Sequence, residues 1–219
     1  MGHMTRPAGS NSKGAERNPE RTRARILSAA LKEFAAKGFA GTRVDAIARR
    51  AGINKRMLYH YFGDKEGLFR AVLRRKIAER QAWAEGLSGD PAESLSFWFE
   101  ATCKDASWVR LLEWEALQSS QEKVIDEKQR LAAVAGGLKR IRQRQAHGQI
   151  SGEFDPRHVV LAMQSLTMFP AAFPQLAKLI MGKPVFAPGF QKEYAHFLKQ
   201  FAAVFQPAAG QRIKIKFTD

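Results

Sequence analysis

Between Asn54 and His60 the chain sets an amide, an ammonium, a guanidinium, a thioether, a phenol and an imidazole within one short stretch (Asn54, Lys55, Arg56, Met57, Tyr59, His60), interrupted by the apolar Leu58. With Ile53 and Phe62, Leu58 gives a short helix one apolar face, and the polar groups fall on the other. Side chains of this kind, held in a row, suit hydrogen bonding to base edges and phosphates. Just upstream, Thr42 to Ala51 reads as a second short helix that buries Val44, Ile47, Ala48 and Ala51. Gly52 lies between the two, where a tight turn needs a residue tolerant of positive φ. Residues 42–62 therefore have the plan of a helix-turn-helix, with the small Ala48 where two steeply crossed helices touch.

Charge places that plan in context. The formal net charge is +15, and it is unevenly spread. Residues 1–80 hold 19 Lys and Arg against 7 Asp and Glu, whereas the remainder holds 17 against 14. A basic front end faces a polyanion, and charge alone does not choose among DNA, RNA and an anionic membrane surface.

The elements that must position the polar row can be read from caps and breakers. Asn18, Pro19 and Glu20 open a first helix, which carries Ile26, Leu27, Ala30, Leu31, Phe34 and Ala35 on one face and ends at Gly38. Thr42 is expected to cap the second helix with Asp45 as partner, Asn54 the third, and Asp64 a fourth that buries Leu68, Phe69, Val72, Leu73 and Ile77. Further helices are expected over Asp90–Lys104, Ser107–Leu117 and Ser120–Ala146, the last with a stripe of Val124, Leu131, Val134, Leu138 and Ile141. Asp155-Pro156 starts a helix apolar nearly all round, expected to be mostly buried, that Pro170 and Pro174 must end or kink. The final helix carries Phe190, Tyr194, Phe197, Leu198, Phe201 and Phe205. The fold class is all-α with about nine helices. The expected divisions are a basic arm at 1–18, a helix-turn-helix domain at 19–66, a helical effector-binding and dimerisation domain at 67–206, and a loose basic tail at 207–219, where Ile213, Ile215 and Phe217 alternate like a strand.

Catalysis finds no support. The chain has no GxxxxGK[ST], HExxH, GxSxG or GxGxxG pattern. Glu113 and Glu115 face different sides of a helix. A single cysteine and five histidines offer no metal-ligand spacing, and His158 and His196 read as surface or packing residues, so neither metal nor cofactor is expected. The apolar run from Val159 to Pro174 is broken by Gln164, Ser165, Thr167 and prolines, which argues against a membrane span. Met1-Gly2-His3-Met4 reads as a cloning scar, no apolar leader follows it, and one cysteine fits a reducing cytoplasm.

The stretch from about Arg21 to Val72 resembles the tetracycline-repressor (TetR) family of bacterial regulators. The matching residues are Ile26-Leu27-x-x-Ala30, Phe34-x-x-Lys37-Gly38-Phe39, Gly41-Thr42, Ile47-Ala48-x-x-Ala51-Gly52-Ile53, Leu58-Tyr59-x-Tyr61-Phe62 and Lys65-Glu66-x-Leu68. The resemblance implies a DNA-binding regulator, usually a repressor. It implies that Thr42, Tyr59, His60 and Lys65 contact phosphates, with Arg43 beside them, and that Asn54, Lys55, Arg56 and Met57 stand where the family reads base edges. Many members carry a small pair such as Gly-Thr where this chain has Arg56-Met57. A guanidinium can bond guanine O6 and N7 and a thioether can meet a thymine methyl, so a G-containing half-site read by Arg56 is expected. Arg17, Arg21 and Arg23 could enter a minor groove or float free.

In such families the C-terminal domain senses a ligand and dimerises. Here the last two helices have more apolar surface than one chain covers comfortably, which suits a homodimer on a palindromic operator. The middle helices are aromatic, and Trp98, Thr102, Cys103, Trp108, Trp114 and Met163 are the candidate pocket for an apolar or aromatic small-molecule effector, with Phe97, Phe99, Glu113, Gln118, Gln164 and Met168 nearby. The fourth helix, from Asp64 to about Glu85, is expected to transmit the effector signal. The rival readings are a sequence-independent architectural nucleic-acid-binding protein and a regulator that answers to a protein partner.

Overall fold

A computed structural model describes residues 18–87, 90–118 and 124–207. The expected arm and tail, Arg17 and the Ile213–Phe217 alternation lie outside the described residues. Among those described there are ten α-helices and a closing 3-10 turn: α1 Pro19–Gly41, α2 Val44–Ala51, α3 Lys55–Phe62, α4 Lys65–Glu85, α5 Pro91–Lys104, α6 Ser107–Gln118, α7 Glu127–Ala146, α8 Pro156–Ala172, α9 Pro174–Met181, α10 Pro188–Phe201 and the turn Ala202–Phe205.

The caps explain where the helices begin. Asn18, Asp64, Asp90 and Asp155 each accept a bond from a backbone N–H of the first turn, the donors being Arg21, Gly67, Ala92 and Arg157. Arg21 and Arg23 therefore sit inside α1 and not in an arm, and the Arg23 guanidinium lies 5.3 Å from the centre of the Phe62 ring. Gly38, with φ 69°, breaks α1 near its end.

Two cores form. In the first, Ile26, Ala30 and Phe34 of α1 meet Ile47 of α2, Leu58 of α3, Leu68 to Leu73 of α4 and Leu111 of α6, with Phe34 and Phe69 edge to face at 4.9 Å. In the second, Leu95 and Phe99 of α5 pack with Ile141 of α7, Val159 and Met163 of α8, and Phe190, Leu198 and Phe205 at the end of the chain. The boundary expected at 66/67 falls inside the helix that serves both: Leu68, Phe69, Val72 and Leu73 of α4 belong to the first core, and Ile77 and Ala84 are buried farther along it.

Three expectations are corrected. The long helix begins at Glu127 and not near Ser120, and of its stripe only Ile141 is buried; Leu131 and Val134 are exposed. α8 buries Val159, Met163, Thr167, Pro170 and Ala171 but leaves Leu161 and Phe169 exposed, so one chain does not cover it. Pro170 is accommodated within α8, while Pro174 starts a separate helix α9, bent 91° from α8, which is the additional helix. No single helix among the described residues is long and apolar enough to cross a membrane; α8 and α9 reach the required length only as this bent pair.

Candidate nucleic-acid interface and effector cavity

The helix-turn-helix is built from the turn outward. Gly52 adopts φ 63°, and Ile53 N–H returns to the Ala48 carbonyl at 3.0 Å. Arg25 of α1 donates to the Ala51 carbonyl and so closes the end of α2. Glu33, a nearly buried carboxylate, accepts from Lys37 and Arg50, each at 2.8 Å, and clamps α2 to α1. The Lys37 hydrogen bond leads in holding the Glu33 carboxyl below its ordinary pKa, against the opposing effect of burial. Asn54 caps α3 by accepting from Met57 N–H at 2.9 Å. Leu58 is wholly buried beneath it.

On that frame Asn54, Lys55, Arg56, Tyr59 and His60 are exposed and Met57 is half-buried. The structure also divides their capacities. The Asn54 oxygen serves the cap, and the Lys55 ammonium reaches Asp45 of α2 at 3.1 Å. Lys65 turns back toward α1, donating to the Ala40 carbonyl at 3.4 Å over the Phe39 ring, and burial lowers its pKa. Arg43 is the exposed N-cap residue of α2.

Thr42 is corrected on both counts. It does not cap α2, and its side chain is not offered to a phosphate. It is 2% exposed, and its hydroxyl lies 2.6 Å from the Gly38 carbonyl and 3.1 Å from the Glu33 carbonyl. A hydroxyl has one proton, and here it is directed at α1 carbonyls beside the break at Gly38. Thr42 fixes the α1–α2 corner and leaves the outward position to Arg43.

The second site is a cavity of about 290 Å³ between α4, α5, α6, α7 and α8. Trp98, Trp108 and Met163 line it, together with Gln164 and Met168. Thr102, Cys103 and Trp114 do not. The Thr102 hydroxyl is buried and donates to the Trp98 carbonyl one turn back. Cys103 packs against the second core, where burial, aided by Glu100, raises its thiol to about 11. The Trp114 indole N–H donates to the Ala35 carbonyl of α1 at 3.2 Å, joining α6 to the helix-turn-helix end. Phe97 stacks edge-on with Trp83 and Trp98, and Phe99 is core. Glu115 holds Arg130 at 2.6 Å and so is not half of a catalytic pair with Glu113, which lies near Arg110.

The basic lining was the part not foreseen. Arg80 and Gln81 of α4 and Arg130, Arg140 and Arg144 of α7 face the cavity, and among the described residues no carboxylate does. A signal for one of them existed: the spacing Leu73, Ile77, Arg80, Ala84 puts Arg80 on the buried stripe of α4. α4 is tied to the start of α7 by Arg74, which grips Asp126 with two bonds of 2.6 and 2.7 Å.

Comparison with known proteins agrees with this plan. Residues 26–72 match the model of bacterial regulatory proteins of the tetR family, and residues 96–185 match the model of a tetracyclin repressor-like C-terminal domain. The transcriptional repressor SCO4008 of Streptomyces coelicolor is 30% identical over 172 residues, spanning 77% of this chain and 88% of that protein. The repressor NicS of Pseudomonas putida is 33% identical over 162 residues, 68% of this chain and 76% of its own length. The crystal structure of the regulator SCO4942 of Streptomyces coelicolor superposes with a TM-score of 0.70 at 28% identity, covering 85% of this chain and 98% of the other. An N-terminal helix-turn-helix, a helical C-terminal domain and relatives matched over most of their length lead to one conclusion: the chain belongs to the TetR family of DNA-binding transcriptional regulators, which are not enzymes.

Proposed function

We propose that this regulator is a repressor that binds a palindromic operator as a homodimer in the cytoplasm and leaves it when a small molecule fills the cavity. The observation that carries the reading is the exposed row Arg56, Tyr59 and His60 on α3, a helix whose reverse side chain Leu58 is fully buried. Such a helix is held firmly and offers only its polar face to a major groove. Arg56 forms no ion pair or hydrogen bond among the described residues, whereas Lys55 is occupied by Asp45. Arg56 is therefore assigned to guanine, and Arg43, Tyr59, His60 and Lys65 to the phosphate backbone. Exposed Leu161, Phe169, Leu176, Leu179 and Ile180 on α8 and α9 support a second copy packing there.

The test is selection of random DNA duplexes by the purified protein at moderate salt, repeated with Arg56→Ala. An enriched inverted repeat that loses its guanine preference at one position of each half-site in the variant supports the dimer, the palindromic operator and the assignment of Arg56. Uniform weakening on all sequences would make Arg56 a phosphate anchor. Retention without a motif, vanishing as salt rises, would leave an architectural protein bound by charge alone.

A further inference from the structure

We propose that the cavity takes an anionic ligand with an aromatic or apolar body, its acidic group held by Arg80 of α4 and Arg140 of α7. The inference rests on the cavity being the effector site and adds the ligand's charge. Arg80 is the centre of the argument. Its guanidinium carbon lies 4.5 Å from the Trp98 ring centre and 5.6 Å from that of Trp108. A guanidinium held over rings uses its faces there and keeps its in-plane N–H donors for a planar acid.

Those donors have no taker among the described residues. Arg80 forms no hydrogen bond or ion pair among the described residues. The carboxylate that acts on it electrostatically, Asp105, is itself bonded to Lys76 at 2.6 Å. Arg130 differs, being satisfied by Glu115. Burial lowers Arg80 to a pKa of about 10. Burial together with the Arg140 charge lowers Arg144, with Asp90 acting the other way. Like charges gathered around one cavity, with no carboxylate lining it among the described residues, are relieved by an anion. The volume, about 290 Å³, suits a small molecule, and Trp98, Trp108 and Met163 supply its apolar walls.

The experiment uses the full chain and two probes of nearly equal shape, 2-naphthoate and the neutral 2-naphthamide. Each is titrated by calorimetry against the parent protein and against Arg80→Gln and Arg80→Lys. Charge-assisted bonding predicts that the acid binds at least about tenfold more tightly than the amide. Arg80→Gln should remove that preference and Arg80→Lys retain it. Should Arg80→Gln fail to fold, Arg140→Gln makes the same comparison from α7. Equal binding of the two probes, a preference that survives Arg80→Gln, or binding of neither overturns the proposal. Anisotropy of a labelled operator duplex runs in parallel and separates the two readings. Arg80-dependent binding of the acid without DNA release sustains the anion site and defeats the effector role. Release by the amide as readily as by the acid does the reverse.

Discussion

Thr42→Val distinguishes a residue that touches DNA from one that shapes the surface touching it. The substitution keeps the side chain's outline and removes one hydroxyl. Thr42 is 2% exposed, and its hydroxyl bridges to the Gly38 and Glu33 carbonyls, at 2.6 and 3.1 Å. Neither carbonyl reaches water easily once the hydroxyl is gone, and leaving a buried acceptor unsatisfied costs about 1–3 kcal/mol. In a chain of this size each kcal/mol lowers Tm by roughly 2–4 °C, so a loss of about 2 kcal/mol corresponds to roughly 4–8 °C. Thermal melts give the stability, and operator affinity is measured well below the melting range, where nearly every molecule is folded. The expected result is a lower Tm with operator affinity within about twofold of the parent, since a change under roughly 0.4 kcal/mol is all that indirect strain should transmit. Thr42→Ser should restore the melt. A variant of unchanged Tm that binds operator about tenfold more weakly would refute the inward assignment and return Thr42 to the phosphate contacts.

The Glu33 clamp predicts an acid limb. Because its folded pKa is depressed, its contribution is complete above the unfolded value of roughly 4.3 and is lost as pH falls through the folded value. Urea melts between pH 7 and 3 should steepen in that window for the parent and less so for Glu33→Gln. Arg74→Ala leaves Asp126 without its two-pronged partner, but Arg74 is half-exposed, so the stability loss should be about 1 kcal/mol or less; amide exchange should rise at Glu127–Arg130 and stay unchanged in α3. Gly52→Ala meets both the positive φ and the Arg25 guanidinium, 2.7 Å from the added carbon; a loss of at least about 1–2 kcal/mol by urea melt is expected, since a left-handed non-glycine residue alone carries that cost and displacing Arg25 adds to it.

What could be read in the sequence was local. Asn18, Asn54, Asp64, Asp90 and Asp155 announce helix starts because a cap needs only its own next few residues, and Gly52 announces the turn for the same reason. Thr42 misled because a threonine before a helix is also free to bond backward, and α1 carbonyls beside the break at Gly38 are its acceptors. Among the aromatics, spacing could not separate Trp114, which bonds to α1, from Trp98 and Trp108, which flank the cavity. The arginine lining was hidden because it is assembled from α4 and α7, and charges on helices are more often solvated. The exposed apolar flank of α8 and α9 could be anticipated only as an excess of hydrophobic residues, without its geometry.

The unbroken run of α4 from Lys65 to Glu85 has a mechanical consequence. The helix is gripped near one end by the first core, through Leu68 to Leu73, and reaches the cavity with Ile77, Arg80 and Ala84. At about 1.5 Å per residue, the two gripped regions are roughly 15 Å apart, so a tilt of about 5° displaces one against the other by roughly 1.3 Å. In the proposed homodimer, two subunits tilting in opposite senses would double that to roughly 2.6 Å, measured against a groove-to-groove spacing of about 34 Å. On the proposed function, a lever arm without a hinge would turn ångström-scale repacking around a ligand into a change of gauge between two reading heads.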